Sequence, residues 1–108
     1  VNAAGEESKF GLAYEEVLPL VREIASLPGL HICGLMTVAP YTDDPETNRE
    51  FFKKLRDLSV DIDRQSIDNV SMHTLSMGMT GDFEVAIEEG ATHIRVGTAI
   101  FGKRDYTV

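Results

Sequence analysis

Apolar residues recur along the chain with two different spacings. Residues 30–39 form a short apolar run with β-branched members that ends at Pro40, which is typical of a strand buried on both faces. Shorter runs of the same kind occupy residues 74–79 and 93–96. We therefore predict a strand at each of these positions and interpret residues 1–4 as the end of a further strand.

Between these runs the apolar residues follow helical spacing. Three amphipathic stripes are present, over residues 14–25, 51–62 and 83–87. Pro19 lies inside the first stripe, so that helix is expected to begin late or to bend there. The second helix has Asp43 or Asp44 as its N-cap and Pro45 in its first turn.

Strands that alternate with helices predict right-handed β-α-β units and a parallel sheet of the α/β class. A (β/α)₈ barrel, or TIM barrel, typically needs roughly 250 residues, whereas this chain has 108. The pattern is therefore that of a small open sheet or of about half a barrel, comprising its last four strands. The chain opens inside a strand-like run, which favours the half barrel, and we assign residues 1–108 to one domain.

The charge balance excludes several classes of function. The chain carries 10 basic and 18 acidic residues, a formal net charge of −8, and its pI is about 4.7. A nucleic-acid partner or an anionic membrane surface requires a basic face, so neither is expected. The longest nearly apolar stretch, residues 32–40, is far shorter than the roughly 20 residues of a membrane-spanning helix.

Cysteine and histidine usage adds little chemistry. Cys33 is the single cysteine, and no signal peptide is apparent, so we expect a cytoplasmic protein with Cys33 as an inert buried thiol. The three histidines, His31, His73 and His93, lack metal-ligand spacing, and no metal site is predicted.

Two loops that follow predicted strands are rich in small residues. They comprise residues 76–81 (SMGMTG) and 95–102 (RVGTAIFG). Glycine permits close backbone approach, and free N–H groups at a helix start attract anions. In barrels, the loops after the last two strands often bind phosphate. The spacing favours a phosphate site, although two tight turns in which glycine serves only geometry would give the same pattern.

Arg95 lies at the end of the last predicted strand. If Ile94 and Val96 pack against the helices, alternation directs Arg95 into the barrel mouth. A guanidinium there needs an acceptor, either a ligand atom or an acid such as Glu6. An ordinary ion pair is the alternative role for Arg95.

Five strings, taken together, resemble the C-terminal half of the YggS/PROSC family of pyridoxal-phosphate-binding homeostasis proteins. The resemblance spans about residues 1–106 and is carried by EESKFG (6–11), LPGLHICGLM (27–36), LSMGMTGDF (75–83), AIEEGAT (86–92) and IRVGTAIFG (94–102). It implies a single-domain TIM barrel similar to the N-terminal domain of alanine racemase, with this chain as its C-terminal half.

The resemblance also implies roles for individual residues. Ser76 and Thr98, with backbone groups of Met77 and Gly97, match positions that hold the phosphate of pyridoxal 5'-phosphate. Arg95 matches the arginine that faces the pyridine nitrogen. Such an arginine keeps that nitrogen unprotonated and weakens the ring as an electron sink. The resemblance therefore implies a cofactor carrier or reservoir with no catalytic residue in this chain, rather than an enzyme.

The family's Schiff-base lysine lies in the N-terminal half, outside these residues, and Lys9 matches a different family position. The alternative function is a piece of a fold-type III pyridoxal-phosphate enzyme, a racemase or decarboxylase, whose barrel is joined to a second β domain. An open half barrel exposes strand edges and an uncovered face. We therefore expect it to pair with the missing N-terminal half or with a second copy of itself.

Overall fold

A computed structural model describes residues 1–7 and 9–103 of the chain. Ser8, which belongs to the first quoted string, and residues 104–108, which end the predicted domain, lie outside the described residues. Within them, strands and helices alternate as expected. The elements are α1 (Val17–Ala25), β1 (Ile32–Met36), α2 (Arg49–Arg64), β2 (Val70–Met79), α3 (Phe83–Glu88), β3 (His93–Arg95) and α4 (Thr98–Phe101).

The three strands form one parallel sheet in the order β1-β2-β3. Helix α2 connects β1 to β2, and α3 connects β2 to β3, so each connection is a β-α-β crossover. The predicted α/β class with a parallel sheet is confirmed. All three strands end at the same edge, where their following loops meet.

The two longer helices begin where local chemistry favours a start. A 3-10 turn, Tyr14–Glu16, precedes α1, and Pro19 falls in the first turn of the helix, where its missing N–H costs no hydrogen bond. A second 3-10 turn, Pro45–Asn48, precedes α2, and the Asp44 carboxylate caps it by accepting from the Glu46 N–H at 3.1 Å. The late start and the Asp44 cap are thus as the sequence predicted.

Residues 1–4 do not form the predicted strand. The Asn2 N–H donates to the Leu12 carbonyl at 2.8 Å instead of joining the ladder of β1. Val1 hydrogen-bonds at the end of β1: its nitrogen donates to the Met36 carbonyl at 2.6 Å, and its carbonyl accepts from Thr37 Oγ1 at 2.6 Å. The segment turns away at once, so the fourth strand is wrong for the described residues.

The core lies between the sheet and its crossover helices. Helix α2 buries one apolar stripe against the side chains that β1 and β2 direct toward it. The central members of this core are Phe52, Leu55, Leu58, Ile62, Leu35, Leu75 and Met77. At its rim, Glu89 is buried and ion-paired to Arg49 at 2.6 Å and to Arg56 at 3.1 Å, which joins the end of α3 to α2.

Strand β1 is not buried on both faces as predicted. Leu35 faces the core, but the next residue, Met36, points to the opposite face and is 44% exposed because the described helices cover only one side of the sheet. Cys33 is exposed and lies at the register irregularity between Ile32 and Gly34. The prediction that Cys33 is a buried thiol is therefore wrong. None of the helices described here is both long and apolar enough to cross a membrane.

Candidate ligand site at the carboxyl ends of the strands

A cavity of about 780 Å³ opens where the loops after the three strands meet. Tyr41 and Thr42 from the loop after β1 form one wall, and residues 79–82 after β2 form the second. Helix α4 and the glycines that flank it form the third wall. The site thus lies outside the carboxyl ends of the strands, where ligands of parallel α/β sheets commonly bind.

Two backbone donors converge on one oxygen at this cavity. The Gly97 N–H donates to Thr80 Oγ1 at 3.1 Å, and the Ala99 N–H points to the same oxygen at 3.4 Å. The loop after β3 therefore presents two N–H groups toward the loop after β2. Such a pair of donors can bind an oxygen that carries negative charge.

The turn that carries Thr80 is held by Asp82. The Asp82 carboxylate accepts from the Met79 N–H at 2.7 Å, and the Asp82 N–H donates to the Met79 carbonyl at 3.2 Å. Gly78, just before the turn, has a φ of +105°, and a Cβ there would lie 2.8 Å from Ala86 Cβ. The glycine therefore permits both the backbone conformation and the close packing of α3.

Arg95 reaches across the face of the sheet. Its Nη2 donates to the Thr37 carbonyl at 2.7 Å and to the Ser76 carbonyl at 3.4 Å. Its Nε is buried without a hydrogen-bond partner among the described residues. Arg95 and Glu6 both lie in the described part of the chain, and they form no ion pair with each other. Glu6 is thus not the acceptor that the sequence allowed.

The residues expected to contact the cofactor fall into two groups. Gly97 and Thr98 line the cavity, whereas Ser76, Met77 and Arg95 do not. Ser76 is half-buried on β2, where Arg95 reaches its carbonyl. The Met77 side chain is fully buried in the core, so only its backbone is available to a ligand. Among the described residues, no three histidine, cysteine or acidic side chains cluster in a way that could hold a metal ion.

Neither Thr80 nor Asn48 was predicted from the sequence as a site residue. Thr80 lies inside the small-residue loop 76–81, and its hydroxyl between two such loops is a signal that could have been used. No local sequence pattern indicates Asn48, because its importance comes from two partners distant in the sequence. Its side-chain amide donates to the Pro40 carbonyl at 2.8 Å and to Asp82 Oδ2 at 2.9 Å. These partners lie 8 and 34 residues away in the sequence.

Comparison with known proteins places this geometry in a family. The model of the alanine racemase N-terminal domain matches residues 3–105, which is nearly the whole chain. The chain belongs to the alanine racemase N-terminal domain family. Membership agrees with the parallel sheet and with the loops that meet at its carboxyl edge.

Similar curated proteins carry the name pyridoxal phosphate homeostasis protein. The relative from Aquifex aeolicus is 48% identical over 106 residues, which cover 98% of this chain and 46% of the relative. The human relative is 38% identical over 109 residues, covering 99% of this chain and 40% of the relative. The chain thus spans less than half the length of these relatives. The resemblance predicted from the sequence is confirmed.

Solved structures agree with the fold. An unknown protein of Bifidobacterium adolescentis superimposes with a TM-score of 0.87 at 41% identity, over 94% of this chain and 40% of that one. PipY of Synechococcus elongatus, solved with pyridoxal phosphate bound, superimposes with a TM-score of 0.78 at 30% identity, over 88% of this chain and 44% of PipY. The family relation therefore extends to the three-dimensional fold.

Proposed function

We propose that this chain binds pyridoxal 5'-phosphate and serves as a carrier or reservoir of that cofactor rather than as an enzyme. The observation that carries the proposal is the convergence of the Gly97 and Ala99 N–H groups on a single oxygen position at the cavity, which Thr80 Oγ1 fills in this structure and which a phosphate oxygen would take when bound. PipY, of the same fold, binds pyridoxal phosphate, and the curated relatives are named for its homeostasis.

A phosphate ester suits these donors chemically. It carries up to two negative charges and three oxygens that accept hydrogen bonds. The N–H groups of Gly97 and Ala99 and the hydroxyls of Thr80 and Thr98 would hold it at the cavity. Ser76 and the backbone of Met77 lie on β2 outside the cavity lining and would contact the ligand where it extends toward the sheet. Gly97 has open space where a side chain would stand, so a phosphate oxygen can approach its backbone closely.

Arg95 would orient the ring of the cofactor. Its Nε is a buried donor that lacks an acceptor among the described residues, and an unpaired buried donor is costly. The pyridine nitrogen is an acceptor of the required kind. When bound, the cofactor supplies a reactive aldehyde and a ring that stabilises carbanions. Because Arg95 is positively charged, it opposes protonation of the ring nitrogen, which favours storage over demanding carbanion chemistry.

The open face of the sheet requires a partner. Met36 is half exposed on that face, and β1 and β3 are edge strands of the described sheet. We propose that the chain is the C-terminal half of one barrel domain and that a polypeptide equivalent to the rest of its relatives, or a second copy, covers this face. The family's Schiff-base lysine belongs to that other half. The free exposed thiol of Cys33 suits a reducing compartment, and we infer a cytoplasmic location.

The test is a titration that distinguishes the contribution of the phosphate to affinity from that of the ring. The chain is joined to the N-terminal half of the Aquifex aeolicus relative and titrated with pyridoxal phosphate and with pyridoxal, monitored by absorbance. Two charge-assisted hydrogen bonds to phosphate predict a preference for pyridoxal phosphate of about hundredfold. Equal affinity for both ligands would contradict the assignment of a phosphate site. Turnover of added amino acids by this protein would favour the racemase or decarboxylase alternative.

A further inference from the structure

Three loops line the ligand cavity, and the side chain that joins two of them lies outside it. Asn48 is buried, with 1% of its surface exposed, and it does not line the cavity. It stands at the N-cap position of α2 but forms no side-chain cap hydrogen bond there. Its amide is therefore committed to other contacts.

Those contacts join the loop after β1 to the loop after β2. Both involve Asn48 Nδ2, which has two hydrogens: it donates to the Pro40 carbonyl at 2.8 Å and to Asp82 Oδ2 at 2.9 Å. Pro40 directly precedes Tyr41 and Thr42, which line the cavity, and Asp82 is itself part of the cavity wall. One buried amide thus fixes the relative position of two cavity walls.

Asp82 carries this constraint onward to the third loop. Its other oxygen, Oδ1, accepts from the Met79 N–H at 2.7 Å and sets the turn that presents Thr80. The Thr80 hydroxyl in turn accepts from the N–H groups of Gly97 and Ala99. Asn48 is therefore connected to the Gly97 and Ala99 amides by hydrogen bonds to Asp82, from Met79 to Asp82 and onto Thr80 Oγ1, with the Met79–Thr80 peptide bond as the covalent link between the last two.

We propose that Asn48 is a positioning residue of the phosphate site, acting through Asp82 on the turn at residues 79–82. The inference rests on the proposed function and deepens it, because it assigns the geometry of the phosphate donors to a residue that touches no ligand. At metal sites, residues that orient the ligating groups change affinity by roughly tenfold to a hundredfold when they are removed, and we expect an effect of about tenfold from Asn48.

Two variants and one control test the proposal. Asn48→Ala removes the donor to both loops. Asp82→Asn keeps the size of the side chain but replaces one carboxylate oxygen by an NH2 group. The side chain can then no longer accept from both Asn48 and Met79, so one hydrogen bond is lost without leaving a void in the packing. Ser59→Ala is the control, because Ser59 is also buried on α2 and donates to the Arg56 carbonyl at 2.7 Å, away from the cavity loops.

The first readout needs no ligand. In the 108-residue chain, amide hydrogen exchange at Gly97 should accelerate at least about tenfold in Asn48→Ala and in Asp82→Asn, relative to the Val21 amide of α1 in the same protein. Ser59→Ala should leave that ratio unchanged. An unchanged ratio in both variants would overturn the proposal, whatever the outcome of any ligand titration.

The second readout is the preference for pyridoxal phosphate over pyridoxal in the joined protein. It should fall roughly tenfold in the two variants and stay constant in Ser59→Ala. General destabilisation of the protein weakens the binding of both ligands equally and does not change the ratio of their affinities. If the unmodified protein shows no preference, the proposed function fails; if it shows a preference that both variants retain, only the role of Asn48 fails.

Discussion

The Arg95 guanidinium on β3 donates to the backbone carbonyl of Thr37, just beyond β1, at 2.7 Å. The two residues are separated by 58 positions in the sequence and by the whole width of strand β2. Thr37 is itself buried, and its hydroxyl donates to the Val1 carbonyl. A single side chain thus bridges the two outer strands of the described sheet.

Replacing Arg95 by alanine should weaken the binding of pyridoxal phosphate and of pyridoxal by similar factors, because the proposed role of this side chain is to contact the ring and not the phosphate. Loss of one charge-assisted hydrogen bond costs about 1.5 to 3 kcal/mol, or roughly tenfold to hundredfold in affinity. Titration of the joined protein with both ligands measures the two factors. Arg64→Ala, on the exposed surface of α2, is the control and should change neither. Retained affinity for both ligands in Arg95→Ala would contradict the ring assignment.

Gly34→Ala should strongly destabilise the sheet. A Cβ at this position would lie 1.9 Å from the Thr74 carbonyl oxygen and 2.6 Å from its carbon, so β1 and β2 would have to separate. Backbone cannot yield as a flexible side chain does, and we expect a loss of at least about 3 kcal/mol in the free energy of unfolding, measured in urea. Gly81→Ala is the control, because no atom lies within 4 Å of its added Cβ.

The sequence predicted those parts of the fold that depend on local chemistry. The stripe of α2 and the Asp44 cap with Pro45 are local patterns, and each is present. The prediction of a strand at residues 1–4 was wrong because a strand requires a neighbouring strand to pair with, and the Asn2 N–H donates to the Leu12 carbonyl instead. At the site, the small-residue loop could be identified from its composition. Asn48 could not be, since its function depends on Pro40 and Asp82, which only the fold brings together.

Thr80→Val should expose the amide of Gly97. The substitution preserves shape but removes the oxygen on which the Gly97 and Ala99 N–H groups converge. A half-buried donor left without an acceptor costs about 1 to 2 kcal/mol. Urea unfolding should show that loss, and hydrogen exchange at Gly97 should accelerate. Thr80→Ser keeps the hydroxyl and should retain both the stability and the protection; loss of protection in Thr80→Ser would show that the methyl group, not the hydroxyl, orders this loop.

Glu89→Gln should lower the stability of the junction between α3 and α2. The Glu89 carboxylate is 7% exposed and accepts from Arg49 and Arg56, whose side chains are 25% and 39% exposed. Partial exposure of the two arginines lets water replace some of the lost interaction, so we expect about 2 kcal/mol rather than the full penalty of an isolated buried charge. Glu84→Gln, on the exposed face of α3, should change the free energy of unfolding by less than about 0.5 kcal/mol.

The uncovered face of the sheet predicts self-association of the 108-residue chain. Met36 projects from that face with 44% of its surface exposed, and exposed apolar surface beside free strand edges favours pairing with another copy. Light scattering after size exclusion should show a mass that rises with protein concentration. Met36→Glu places a charge on this face and should shift the chain toward monomer. Val60→Glu, at a similarly exposed position on α2, adds the same charge elsewhere and should leave association unchanged. A chain that stays monomeric at every concentration and unfolds cooperatively would show that the face needs no second copy to cover it.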